Sequence, residues 1–333
     1  MAIDHREFNN ILLFHFGQLG DVVLALPAIR AIRERFPNSK LTIISGLSTR
    51  GVIELSGLAD EQIAVDRVEL RDGGRLRAIA EMLRIARDLR SRKFDLVIDI
   101  HSLYETNLLG YFSGAPMRYF AHRDRRSLQW LSNWPEKAPI ENRGAHHFDR
   151  YAAAVRPLGI DAVEWHFTSA PHPDAAEAAA AILSNAGVSD SQLIGLFLGA
   201  GHETRRWPVD RFVSVAKSLA ADDKNRVLVL LGPEERAMRD GLQEKFGKSA
   251  IVIEEVPLPV FFAILTKLHV MVSGDTGPMH MAAVAGAGIV LLSTLGAPDI
   301  FTPLTENLVN INDVKFEDIG VNRVIAGVNT LLK

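Results

Sequence analysis

Val270-Met271-Val272-Ser273-Gly274-Asp275-Thr276-Gly277-Pro278-Met279-His280-Met281-Ala282-Ala283 reads as an apolar, β-branched run, a glycine-flanked turn and the start of a helix. A strand feeding a helix in this way leaves backbone N–H groups of the first turn unpaired. It also presents the positive end of a helix dipole, about half a unit charge, to whatever lies above. Such a turn suits an anion. Asp275 or Thr276 is placed to cap the helix, Pro278 brings a φ suited to a first turn, and Ala282, Ala283 and Ala285 allow close packing on a sheet. The same features describe any well-capped strand-to-helix connection, so the rest of the chain must decide.

Outward from this segment, short apolar runs alternate with longer helical patterns. The runs Ile11 to Phe16, Leu41 to Ser45, Phe94 to Ile100, Leu193 to Leu198, Arg226 to Leu231, Val270 to Ser273 and Ile289 to Ser293 are nearly continuous in hydrophobicity. That pattern suits strands covered on both faces, as in parallel sheets. Helical periodicity is read over Asp21 to Phe36, Leu76 to Arg90, Pro173 to Ala186, Val209 to Ala221, Glu234 to Phe246 and Phe316 to Leu332. The alternation predicts an α/β fold of two Rossmann-like, doubly wound halves facing a cleft. Pro157, Gly159, Pro171 and Pro173 interrupt both periodicities, which places the expected domains at 1–165 and 166–333. Whether the last helix crosses back to the first domain is left open.

Length and composition agree. The 333 residues suffice for two cores, and 47% apolar with 23% charged residues is the balance of a globular chain. A formal net charge of -3 gives no global attraction to nucleic acid, so any basic surface is local. The absence of cysteine excludes disulfides and thiolate metal sites. No apolar run approaches the ~18 to 20 residues of a membrane span. The expected location is the cytoplasm, with peripheral contact at the inner face of a membrane compatible with it.

Two further turns carry chemistry. Phe16-Gly17-Gln18-Leu19-Gly20-Asp21 follows the first strand; its glycines permit close backbone approach, and Asp21 either caps the next helix or faces a ligand. The spacing is not G-x-G-x-x-G, and no G-x-x-x-x-G-K-[ST] occurs, which disfavours a nicotinamide dehydrogenase and a P-loop nucleotidase. After Leu198, Gly199-Ala200-Gly201-His202-Glu203-Thr204-Arg205-Arg206-Trp207-Pro208 places small residues, a hydroxyl and two guanidinium groups before a helix, a plausible diphosphate grip. In Gly232-Pro233-Glu234-Glu235 a carboxylate either accepts ribose hydroxyls or answers a helix dipole.

In these residues the chain resembles glycosyltransferase family 9, the ADP-heptose:lipopolysaccharide heptosyltransferases. The resemblance lies in GQLGDVVLALPAIRAIRERFP, in RRWPVDRF, in SGDTGPMHMAAVAGAGIVLLSTLGAPD, and in His146-His147-Phe148-Asp149-Arg150 with Leu158-Gly159-Ile160 beyond it. It implies a GT-B fold, with an acceptor-binding first half and a nucleotide-sugar-binding second half. By motif, Asp21 matches the family's proposed base, and Asp275, Thr276, Gly277, Pro278 and His280 match its donor loop. Arg205 stands where the family commonly has a diphosphate-binding Lys. Val256 matches a position whose backbone meets adenine, and Glu235 or Glu234 falls near the ribose-binding acid. Gly201, Thr204 and Arg206 complete the expected donor set, and Gly20, Arg118 and Arg123 the acceptor set.

The implied reaction is an inverting transfer of heptose from ADP-heptose to a lipopolysaccharide core acceptor. No Asp-x-Asp motif occurs, so neither metal nor cofactor is expected. The alternatives are a GT-B enzyme using another nucleotide sugar, including an epimerase, and a non-catalytic sugar-nucleotide-binding protein. Two stretches are locally basic: Arg71 to Lys93, with eight Lys or Arg against three acids, and Arg118 to Arg126, followed by Trp130 and Trp134. The first reads either as a solvated amphipathic helix or as a surface for an acidic lipid. His101 and Tyr104 are candidates to line the cleft.

Overall fold

The computed structural model describes residues 7–67, 74–188, 191–200, 203–232, 235, 238–297 and 299–333. The chain divides into two compact units, Met1–Phe167 and Thr168–Lys333.

In the first unit, β1 (Asn10–His15), β2 (Lys40–Gly46), β3 (Glu61–Val65), β4 (Leu96–Asp99) and β5 (Met117–Phe120) form one parallel sheet in the order β3-β2-β1-β4-β5. Both faces of the central strands are covered, so β1 is buried from Ile11 to His15. The covering helices are α1 (Leu19–Arg35), α2 (Arg50–Ser56), α3 (Arg75–Ser91), α4 (Tyr104–Phe112) and α5 (His147–Val155). Helix α1 starts two residues before the expected Asp21, because the Gln18 carbonyl already accepts the Val22 N–H. Strand order reverses between β1 and β4. Chains leaving their carboxyl ends diverge there and open a crevice, the usual ligand position in doubly wound sheets.

The second unit repeats the plan with β6 (Gln192–Phe197), β7 (Asn225–Leu230), β8 (Ile251–Ile253), β9 (Val270–Gly274), β10 (Gly288–Thr294) and β11 (Leu308–Asp313). The order is β11-β10-β9-β6-β7-β8, again all parallel, with the reversal between β6 and β9. Its helices are α6 (Pro173–Asn185), α7 (Val209–Leu219), α8 (Leu242–Phe246), α9 (Leu258–Leu265), α10 (Gly277–Val284) and α11 (Val321–Leu331). Part of the pattern Glu234 to Phe246 lies outside the described residues; within it α8 forms, with Gly241 at φ 76 immediately before it. The pattern Phe316 to Leu332 splits into a 3-10 turn at Phe316–Asp318 and α11. Val324 and Val328 of α11 join Trp207, Phe212, Val290 and Ile311 in the core of their own unit.

One buried polar group near the β1/β4 crevice couples fold to pH. Asp99 ends β4, fully buried, with Oδ1 accepting the Ser102 N–H at 2.6 Å and Oδ2 accepting from Asn107 Nδ2 at 2.8 Å. Burial pushes its pKa up to about 7, against the downward pull of Thr106, Ser102 and Asn107 hydrogen bonds. The folded-state pKa lies above the ordinary carboxylate value, so folding takes up a proton between the two. The group's contribution is fully present below about pH 4 and is lost as pH rises through about 7. Calorimetric Tm measured from pH 4.5 to 7.5 should therefore fall less steeply in Asp99→Asn than in the parent protein; parallel slopes would contradict this.

Candidate active site

In the first unit the crevice is built around the turn after β1. Asp21 is the third residue of α1, and its Oδ2 accepts the Gln18 N–H at 3.0 Å, one half of a capping box. Its other oxygen lies 3.4 Å from His147 Nδ1. The carboxylate is thus a capping group and remains one-fifth exposed. Gly17 makes this possible: a Cβ there would lie 2.6 Å from Asp21 Cβ and 2.6 Å from His15 Cε1, closer than real contacts allow. Arg67 holds the same turn by donating to the Phe16 carbonyl and stacking on the Phe16 ring.

Asp21 lines a cavity of about 280 Å³ together with His101, Arg123, Glu141, His147, Arg150 and Tyr151. Glu141 bridges the two arginines, with Oε2 3.3 Å from Arg123 Nε and Oε1 3.5 Å from Arg150 Nη1. Arg150 Nη1 also stands 3.2 Å from His147 Nε2. A guanidinium only donates, so Nε2 must offer its lone pair, and in the neutral ring the proton sits on Nδ1, facing Asp21. His147 is therefore an orienting donor to Asp21. With Nε2 occupied it has no free lone pair with which to act as a base itself.

Behind this pair the wall is polar and uncharged. Buried His15 accepts the Gly17 N–H on Nδ1 at 3.3 Å, which assigns its Nε2 proton to Tyr151 Oη, 3.0 Å away. Burial, then the charges of Arg123 and Arg67, lower the His15 pKa to about 3. Burial, reinforced by Asp21, drives the Tyr151 phenol well above its usual value. His101, 5.0 Å from His15 between ring centres, is held well below the usual imidazole value by burial, and its buried Nδ1 has no hydrogen-bond partner.

Of the residues expected on this side, Asp21, His101 and Arg123 meet in the cavity, and Gly20 lies in the first turn of α1 beside them. Arg123 also donates to the His101 carbonyl at 3.0 Å. Arg118 is not among the lining residues; it donates to the carbonyls of Ala115 and Leu131 and lies over the Tyr111 ring. Tyr104 is likewise outside, its hydroxyl donating to the Arg125 carbonyl. Sequence reasoning missed His15, Glu141, His147, Arg150 and Tyr151 as site groups. One signal was available: His147, Arg150 and Tyr151 are spaced i, i+3, i+4 and so share one face of α5.

In the second unit the turn after β9 is built as its sequence implies. Thr276 caps α10 by accepting the Met279 N–H at 3.4 Å, with Gly277 and Pro278 in the first turn. Ser273 Oγ lies 3.0 Å from Thr276 Oγ1. Buried His280 reaches back to place Nε2 3.5 Å from Asp275 Oδ1, while its buried Nδ1 lacks a hydrogen-bond partner. Across the β6/β9 reversal, Thr204 and Arg205 are exposed on a 3-10 turn. Trp207 anchors that turn: it is buried, stacks edge-on against Phe212 and donates to the Ile319 carbonyl. Arg206 is half-buried beside them, and Gly201 lies outside the described residues.

Glu235 departs from expectation. Only 3% exposed, it accepts the Gly232 N–H at 3.0 Å and packs against Gly199, so its carboxylate is turned into the protein. The acids that line a nearby cavity of about 130 Å³ are Glu254 and Glu255, with Gly232 and Arg239. Val256 follows them, just before the Pro257 cap of α9. Among the described residues no cluster of three or more His, Asp or Glu is arranged to hold a metal.

The proton assignment at His147 is directly measurable. Two-dimensional ¹⁵N–¹H NMR should show His147 as a neutral ring protonated on Nδ1, and Arg150→Met should release that preference; an Nε2–H ring in the parent protein would refute the network.

Residues 82–318 match glycosyltransferase family 9 (heptosyltransferase). Lipopolysaccharide heptosyltransferase 3 of Escherichia coli strain K12 is 23% identical over 299 residues, 87% of this chain and 84% of that protein. The crystal structure of a glycosyl transferase family 9 protein from Veillonella parvula DSM 2008 superposes with a TM-score of 0.86 at 23% identity, covering 98% of this chain and 97% of that one. An Escherichia coli heptosyltransferase with ADP superposes with a TM-score of 0.77 at 17% identity, covering 97% and 99%. The fold is that of the GT-B glycosyltransferases, and with most of its length matched the chain belongs to glycosyltransferase family 9.

Proposed function

We propose that this protein transfers heptose from ADP-heptose to a lipopolysaccharide core acceptor, with inversion and without a metal. Family membership supports a glycosyl transfer, and the named relatives supply the sugar, nucleotide and acceptor class. The observation that carries the reading is Asp21: a partly exposed carboxylate at the mouth of the first unit's cavity, gripped by the Gln18 N–H and facing His147.

In this reading the first unit binds the acceptor and the second binds the donor. Asp21 takes the proton of an acceptor hydroxyl as that oxygen attacks the anomeric carbon, and the bond to the diphosphate breaks on the opposite face. The departing ADP carries away the electron pair. Arg205 and the amino terminus of α10 at Thr276 stabilise its charge, which is the work a metal would otherwise do. Asp275 and His280 hold the turn that meets the sugar, and Glu254 and Glu255 serve the nucleoside.

Asp21→Asn should lower kcat by about 10²- to 10⁴-fold, the usual contribution of a general base, while ADP affinity measured by calorimetry stays within about twofold. Unchanged turnover would remove Asp21 from the chemistry. Metal independence has its own check: transfer should survive excess EDTA, and a loss restored by Mg²⁺ or Mn²⁺ would rule it out.

A further inference from the structure

Helix α3 carries two apolar faces. Ile85 and Leu89 point into the core, buried to 3% and 0%. On the opposite side Leu76, Ile79 and Leu83 form a stripe that is 85%, 56% and 58% exposed. Helix α4 packs beside α3 and does the same with Tyr104, Leu108, Tyr111 and Phe112, exposed by 47%, 37%, 44% and 54%. Single exposed apolar side chains are ordinary, but here they converge on two adjacent helices. A solvated amphipathic helix would not place Leu76, Ile79 and Leu83 on its outward stripe.

The rim is cationic. From Arg75 to Lys93 the sequence holds seven Lys or Arg against two acids. Those acids are engaged, Glu81 by Arg84 and Asp88 by Arg92. Arg87 follows one turn after Leu83 on the same stripe, with Arg90 close to that line, and both are exposed. Arg118 lies over the Tyr111 ring at 5.3 Å, adding an aromatic and cationic pair to the edge. Leucine and isoleucine flanked by arginine, with tyrosine and phenylalanine alongside, is the composition that lies in the interface of an anionic bilayer. A second copy of this chain fits poorly, since a symmetric contact would bring two net-positive helices together.

We propose that the exposed faces of α3 and α4 dock this protein on an anionic lipid bilayer, with Leu76, Ile79, Leu83 and Phe112 entering the headgroup layer and Arg87 and Arg90 meeting lipid phosphates. None of the described helices is long and apolar enough to cross a membrane, so the contact is peripheral. The docking is separable from the transferase reading, because it requires neither donor nor acceptor.

The test is co-sedimentation of the full chain with phosphatidylcholine vesicles containing or lacking 30% phosphatidylglycerol, at about 0.15 M salt, the physiological ionic strength. The expected result is at least about tenfold stronger partitioning onto the anionic vesicles, in line with the attraction of several basic residues to such a surface. The triple substitution Leu76→Glu, Leu83→Glu and Phe112→Glu should abolish it, and Arg87→Glu with Arg90→Glu should abolish only the preference for the anionic lipid. All five positions are exposed, and unchanged circular dichroism and Tm would certify the folded variants. No binding by the parent protein, equal binding by the triple variant, or a parent dimer that the triple variant converts to monomer would overturn the proposal.

Discussion

A strand buried on both faces can offer polar chemistry only where it ends. In both sheets the central strands are apolar and covered, so hydrogen-bonding groups gather at carboxyl ends, and reversal of strand order decides which ends have room above them. The β1/β4 reversal collects Asp21, His101 and the aromatic cluster around His15. The β6/β9 reversal collects Arg205, Thr276 and His280. Everything chemical in the protein follows from those two openings.

Within the first opening, charge is rationed by burial. His15, His101 and Tyr151 are held in their uncharged forms, while Glu141 bridges Arg123 and Arg150 and offsets one of their two charges. Against that background Asp21 is a solvent-touching carboxylate whose orientation is set by a backbone N–H and an imidazole. A base positioned by fixed donors has little reorganisation left to do when a hydroxyl arrives.

The central strands were legible in the sequence because covered strands read as unbroken apolar runs, and all seven expected strands exist within a residue or two. The four that escaped notice, β3, β5, β8 and β11, lie at sheet edges: in β3, β5 and β11 half-exposure mixes polar with apolar residues and erases the signal, and β8 is apolar but only three residues long. The same logic governs the site. Turns after strands announced themselves through glycine and Asp21, whereas Glu141 and Tyr151 reach the cavity from a loop and a helix far along the chain. Only tertiary packing brings them there. Glu235 misled for a related reason: its helix-start context was readable, but the inward rotation of its carboxylate depends on a neighbour more than thirty residues earlier.

That neighbour is Gly199. A Cβ built on it would fall 2.1 Å from Glu235 Oε1, so the carboxylate fills the volume a side chain at 199 would need. A substituent at 199 needs the flexible end of Glu235 and the Phe197 ring, 2.6 Å from the same point, to move aside. The dependence runs one way: position 235 can shorten with glycine kept at 199, whereas a side chain at 199 gains room only when the carboxylate and the ring give way.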